Sequence, residues 1–87
     1  MPKGTMEDYH YVYILVSENN PERHYTGCTT NLGVRLKKHN EGGVPHTSNG
    51  RPWRVETVIR FACPNKARAF EKYLKCGSGR EFARRHF

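Results

Sequence analysis

The chain predicts an α+β fold, a three-stranded antiparallel sheet flanked by about three helices. Three observations carry that reading. A stretch rich in Tyr, Val and Ile and a second, shorter strand-like stretch stand one turn apart near the start, a third alternating stretch follows mid-chain, and the segments between and after them space their apolar residues as helices do. Eighty-seven residues suit one modest core and are too few for two. The domain is expected over residues 9–87, behind a polar, flexible terminus at 1–8.

His10 to Val16 alternates and is rich in β-formers, so it reads as the first strand. Arg23 to Cys28, after the turn-forming Asn19-Asn20-Pro21, reads as the second. Asn31 can cap a helix running to about Asn40, with Leu32 and Leu36 facing inward, Lys37 and Lys38 outward, and Gly42-Gly43 as its stop. Val44 to Pro52 has turn-forming residues and no apolar period, which predicts a loop. Trp53 to Ala62 reads as the third strand, with Trp53, Val55, Ile59 and Phe61 on one face. Pro64 introduces a helix with Ala67, Phe70 and Leu74 as its apolar stripe and its end at Gly77. A last short helix, Arg80 to Phe87, offers Phe82 and Phe87 for docking.

Charge narrows the function. Fifteen Lys and Arg stand against eight Asp and Glu, a formal net charge of +7, which favours a polyanionic partner, nucleic acid first. No apolar run approaches the roughly 20 residues of a membrane span, and the first ten residues have no signal-peptide core. Cys28, Cys63 and Cys76 form no Cys-x-x-Cys pair and the five histidines are scattered, so neither a disulfide framework nor a structural zinc is expected. The setting expected is cytoplasmic and reducing, with no obligate protein partner evident.

The chemistry-bearing residues cluster. Eleven residues separate Tyr13 from Tyr25, which puts the two phenols on neighbouring strands of one hairpin. Arg35 and His39 follow at i and i+4 of the next helix, on one face. Glu71 lies beside the apolar stripe of the later helix, one turn beyond Ala67. An ordinary reading of Glu71 is an edge carboxylate paired with Lys75 at i+4 or Arg68 at i−3. With the phenols and Arg35, the set suits attack on a phosphodiester.

These residues fall in motifs that resemble those of the GIY-YIG nuclease superfamily. Tyr11-Val12-Tyr13 stands where Gly-Ile-Tyr would be, Tyr25-Thr26-Gly27 stands for Tyr-Ile-Gly, Arg35 to His39 fits the helix motif, and Glu71 fits the metal-binding glutamate. Arg51-Pro52-Trp53 and Leu74 to Phe82 look like tracts of the small stand-alone branch. The resemblance implies a three-stranded sheet with flanking helices and hydrolysis of phosphodiester bonds with one divalent ion, usually in DNA, by a superfamily that includes a DNA-repair incision subunit. Three departures stand out: Tyr11 replaces the first Gly, Cys28 replaces a lysine common after the second motif, and no late asparagine follows Asn65, Ser78 being the nearest polar residue.

On this resemblance Tyr13, Tyr25, Arg35, His39 and Glu71 are the expected catalytic residues. Glu71 is to hold Mg²⁺ or Mn²⁺ and Arg35 to clamp the scissile phosphate. Tyr13 is preferred as the base, with Tyr25 and His39 positioning water and phosphate; the two tyrosines can exchange roles. Gly27 is to ease the turn into the helix or let phosphate approach. Lys37, Lys38, His46, Thr47, Ser48, Arg51, Ser78 and Arg80 are the expected nucleic-acid contacts. The basic loop His46 to Arg51 would favour single-stranded or unpaired DNA if the nearby Trp53 indole is exposed. A core Trp53, which its place at a strand start favours, would leave the loop cations to draw DNA in without regard to strandedness. A non-catalytic nucleic-acid-binding module and a nuclease for branched DNA or RNA are the alternatives.

Overall fold

The computed structural model describes residues 9–87; the terminus expected at 1–8 lies outside the described residues. Strands β1 (His10–Ser17), β2 (His24–Thr29) and β3 (Trp53–Phe61) form one antiparallel sheet in the order β2-β1-β3. Because β1 is central, both its faces are covered and Val12 to Ser17 are all buried. Val12, Ile14 and Val16 face one way, Tyr13, Leu15 and Ser17 the other.

Each face receives its own helices. Helix α1 (Leu32–Asn40) covers the Tyr13 face, where Tyr13, Leu15 and Trp53 pack with Tyr25, Leu32, Leu36 and Val55. Helices α2 (Pro64–Leu74) and α3 (Gly77–His86) cover the other, where Val12, Ile14, Ala67 and Leu74 pack with Phe61, Phe70 and Phe82. Helix α1 starts and stops where the sequence predicts: the Asn31 side chain accepts from the Val34 N–H at 3.1 Å, and Gly42 takes φ +82° just beyond the end.

Three expectations are corrected. The stretch expected as a loop contains a turn of 3-10 helix, Pro45–Gly50. Long-range bonds order it: Ser17 Oγ donates to the Gly50 carbonyl at 2.7 Å and Trp53 Nε1 to the Thr47 carbonyl at 2.8 Å. Next, Trp53, Val55, Ile59 and Phe61 do not share a face. Leu15 pairs with Val55 and Ile14 with Thr57, so Glu56 is a bulge that turns Trp53 and Val55 toward α1 but Ile59 and Phe61 toward α2. Finally, α2 ends at Leu74 and α3 begins at Gly77 instead of Arg80. At Gly79 an added Cβ would collide with the Tyr73 carbonyl, so the close crossing of the two helices needs glycine there. Phe82 docks as expected, whereas Phe87 stays 41% exposed at the end of α3.

Candidate active site

The register places Tyr13 directly across from Gly27 on β2, on the face toward α1. The phenol fills the space a side chain at 27 would take: an added Cβ would lie 2.6 Å from Tyr13 Cζ. Gly27 is thus a seat for the Tyr13 ring and is buried beneath it, which corrects its expected contact with phosphate.

Helix α1 brings His39 to the same place. Its last residue, Asn40, clasps β3 by donating Nδ2 to the Trp53 carbonyl at 3.0 Å while its Oδ1 accepts from the Trp53 N–H at 2.6 Å. That clasp fixes the end of α1, and His39, one residue earlier, is fully buried. Its Nε2 stands 3.0 Å from the Tyr13 hydroxyl and its Nδ1 2.8 Å from Thr47 Oγ1. Thr47 Oγ1 gives its one hydrogen to the Val44 carbonyl at 3.2 Å. With that hydrogen so placed, Nδ1 donates to Thr47, Nε2 carries the lone pair and the Tyr13 hydroxyl donates to it; the other tautomer reverses all three. Thr47, expected to touch nucleic acid, is instead buried at 1% exposure as the partner of His39, because the 3-10 turn folds it inward.

The Tyr25 ring completes an aromatic cluster, with centroids 6.3 Å from Tyr13 and 4.9 Å from His39. Tyr25 is half-buried whereas Tyr13 has no exposed surface. Burial, then the neighbouring Tyr25, pushes the Tyr13 phenol up to about 12; Arg35 opposes the rise and Glu71 adds to it. Burial and the Arg35 charge hold His39 below its usual value. Cys28, across the ladder from Val12 on the α2 face, feels Glu71, Arg68 and Arg35, and burial and then Glu71 hold its thiol protonated above the usual range. Tyr13 on β1, Tyr25 on β2 and His39 on α1 therefore pack together, and the Tyr13 phenol also feels the charges of Arg35 on α1 and Glu71 on α2.

Glu71 is also the edge carboxylate of the ordinary reading. Its Oε2 receives Lys75 Nζ at 2.9 Å, and its side chain is 23% exposed. Among the described residues no group of three or more His, Cys, Asp or Glu could hold a metal ion. A single carboxylate beside a protonated thiol suits a hard, oxygen-seeking cation that keeps most of its waters and gains ligands from substrate.

The remaining expected contacts are spread over the surface. Lys37 stands 3.8 Å from Glu41 and Lys38 is exposed on α1. His46 is exposed, Ser48 donates to the Pro45 carbonyl, and Arg51 folds back to donate to the Ser48 carbonyl at 2.6 Å. Ser78 and Arg80 are exposed in the first turn of α3. Trp53 is 3% exposed, the core position that its place at the strand start favours, and offers no face to a base. The sequence carried no signal for the His39–Thr47 bond, which joins a helix to a turn without apolar period. Arg68, Lys72 and Lys75, which with Glu71 and Ala69 line a shallow pocket on α2, were legible only as helix spacing around Glu71.

Two phenols and an imidazole are thus packed together in a small α+β domain, with the charges of an arginine and a carboxylate acting on the central phenol. The profile of the GIY-YIG catalytic domain matches residues 9–84, and the chain belongs to the GIY-YIG family of nuclease domains. It is 41% identical over 59 residues to the UPF0213 protein HQ_3675A of Haloquadratum walsbyi, covering 67% of this chain and 61% of that one. It is 36% identical over 75 residues to the structure-specific endonuclease subunit SLX1 of Debaryomyces hansenii, covering 78% of this chain but only 22% of that protein. The solution NMR structure of the UPF0213 protein BH0048 from Bacillus halodurans superposes with a TM-score of 0.53 at 34% identity, covering 87% of this chain and 80% of the other. Among the described residues no helix is long and apolar enough to cross a membrane.

Proposed function

We propose that this domain is a divalent-metal-dependent endonuclease that hydrolyses phosphodiester bonds in DNA. The observation that carries the reading is the packing of Tyr13, Tyr25 and His39 into one cluster, with ring centroids 4.9 to 6.3 Å apart, whose buried phenol also feels the charges of Arg35 and Glu71. Family membership supports the reaction class, and the likeness to SLX1, a structure-specific endonuclease subunit by name, supports endonucleolytic cleavage.

Arg35 offers a fork of donors to the scissile phosphate. Glu71 is the residue that would hold Mg²⁺ or Mn²⁺, which when bound offsets the charge gathering on the phosphate and its leaving oxygen. Water is given to Tyr25 in preference to Tyr13, since Tyr25 is the phenol with exposed surface and the Tyr13 hydroxyl is spent on His39. Tyr13 and His39 act behind it, as a neutral, tightly bonded pair that holds the Tyr25 ring in place. Lys75 occupies Oε2 of the Glu71 carboxylate and competes with an ion for its charge.

The Lys75–Glu71 pair favours a second reading, a nucleic-acid-binding module in which Glu71 is merely neutralised. Glu71→Ala separates the two. Assayed with Mg²⁺ at saturating DNA on single-stranded, duplex, branched and RNA substrates, it should lose cleavage by 100-fold or more while keeping DNA affinity. Wild-type turnover in Glu71→Ala would remove the metal role, and absence of metal-dependent cleavage by the unmodified protein on every substrate would leave the binding module.

A further inference from the structure

Glu71 is one carboxylate in a cationic setting. Arg68, Lys72 and Lys75 recur at intervals of four and three residues, which 3.6 residues per turn gathers on one flank of α2 and its cap. Glu71 lies between that flank and the apolar stripe of Ala67, Phe70 and Leu74. The three cations, with Glu71 and Ala69, line the shallow pocket described above.

Cations on an outer helix face are usually only solvated. Two observations separate this row from that case. It is continuous with the candidate site, since Glu71 itself lines the same pocket as Arg68, Lys72 and Lys75, and the Arg68 charge also reaches Cys28. It is also unequally satisfied: Lys75 is drawn onto Glu71, whereas Arg68 and Lys72 are exposed and make no ion pair among the described residues. Three cations therefore share one pocket with a single carboxylate, and the surroundings of Glu71 on α2 as a whole attract an anion. From Arg68 to Lys75 the helix rises about 10 Å, several times the roughly 3.4 Å axial step per nucleotide of one strand. A row of that length can contact more than one phosphate.

We propose that Arg68, Lys72 and Lys75 form a second phosphate-binding subsite that takes the phosphodiesters flanking the scissile one, and that Lys75 exchanges Glu71 for such a phosphate as the strand seats. The subsite rests on the DNA-cleavage reading for its ligand. It moves the path of the strand from the 46–51 turn to α2, and it links release of the Glu71 carboxylate to arrival of DNA.

The test is equilibrium binding of labelled single-stranded and duplex DNA in EDTA across a salt series, where cleavage plays no part. Arg68→Gln/Lys72→Gln should weaken binding by about tenfold or more near 0.1 M salt and lower the slope of log K against log salt by nearly 2 on duplex or about 1.4 on single strands. Arg54→Gln/Arg60→Gln, the same charge change at the far edge of the sheet on β3, should leave the slope unchanged. In Lys75→Gln, Mn²⁺ binding without DNA, followed by electron paramagnetic resonance, should tighten several-fold because no ammonium competes for Glu71. An unchanged slope in the α2 variant, an equal fall in the β3 variant, or unaltered Mn²⁺ affinity in Lys75→Gln would overturn the proposal. A protein that binds through α2 but never cuts would remove the nuclease reading and keep the subsite.

Discussion

Tyr13 and His39 form a neutral buried pair whose members are pushed away from ionisation in opposite directions by the same cause. Burial raises the phenol to about 12 and depresses the imidazole, so the resting bond runs from a protonated hydroxyl to an unprotonated Nε2. The tautomer follows from the far side, where Thr47 Oγ1 stands 2.8 Å from Nδ1 and 3.2 Å from the Val44 carbonyl: a hydroxyl that donates to Val44 accepts from Nδ1.

The first prediction concerns that tautomer. Nitrogen-15 chemical shifts of His39 should show a protonated Nδ1 and a bare Nε2 at pH 7, although free histidine favours the opposite form. Thr47→Val should remove the preference and lower stability by about 1–3 kcal/mol, because a buried ring N–H loses its acceptor. A protonated Nε2 in the wild type would reverse the direction assigned to the Tyr13 bond.

Acid should act through His39. Its folded pKa lies below the unfolded value of about 6.5, so the stability it contributes is complete above about pH 6.5 and is lost as pH falls through the folded value. The gap in Tm between wild type and His39→Gln should therefore be widest at neutral pH and narrow below 6.5. A gap that widens on acidification would contradict the sign.

Alkali should act through Tyr13. With the folded value raised to about 12, its contribution is complete below the unfolded value of about 10 and is lost between about 10 and 12. Ultraviolet titration should show one tyrosine ionising about two pH units late, and Tyr13→Phe should delete that late step. For turnover, Tyr25→Phe is expected to cost 100-fold or more, as the phenol facing water, and Tyr13→Phe less.

Gly27→Ala should harm both stability and rate without touching any charged group. The new methyl group would occupy the seat of the Tyr13 ring, at a cost of about 1–3 kcal/mol for overpacking, and a ring displaced by about 1 Å should reduce turnover by roughly 100-fold. Denaturant melts and single-turnover kinetics check both halves. Gly27→Ala combined with Tyr13→Leu should regain stability but not activity.

Strandedness is expected to matter little. Trp53 lies in the core, so the ring that would have stacked on unpaired bases is not available, and attraction rests on charge, which both forms of DNA answer. Matched single-stranded and duplex oligonucleotides, cleaved side by side at fixed salt and Mg²⁺, should differ by less than about tenfold, the ratio that 1.4 kcal/mol of base stacking would produce. A larger preference for single strands would point to an aromatic platform elsewhere.

The sequence by itself determined the local elements and the place of each motif on them. Asn31 and Gly42 bound α1 because cap chemistry acts within a few residues, and the spacing of Ala67, Phe70 and Leu74 set Glu71 at the rim of a buried stripe because helical period is local too. Only the tertiary structure decided what depends on residues distant in the chain. The Glu56 bulge divides the apolar residues of β3 between two cores, since a register shift exists only between paired strands. Thr47 turns inward because His39, once buried, needs an acceptor for Nδ1, and Gly27 lies under Tyr13 because the ladder sets them opposite. A buried polar group or an empty space acquires its partner only when separate elements pack, and no period within one segment carries that information.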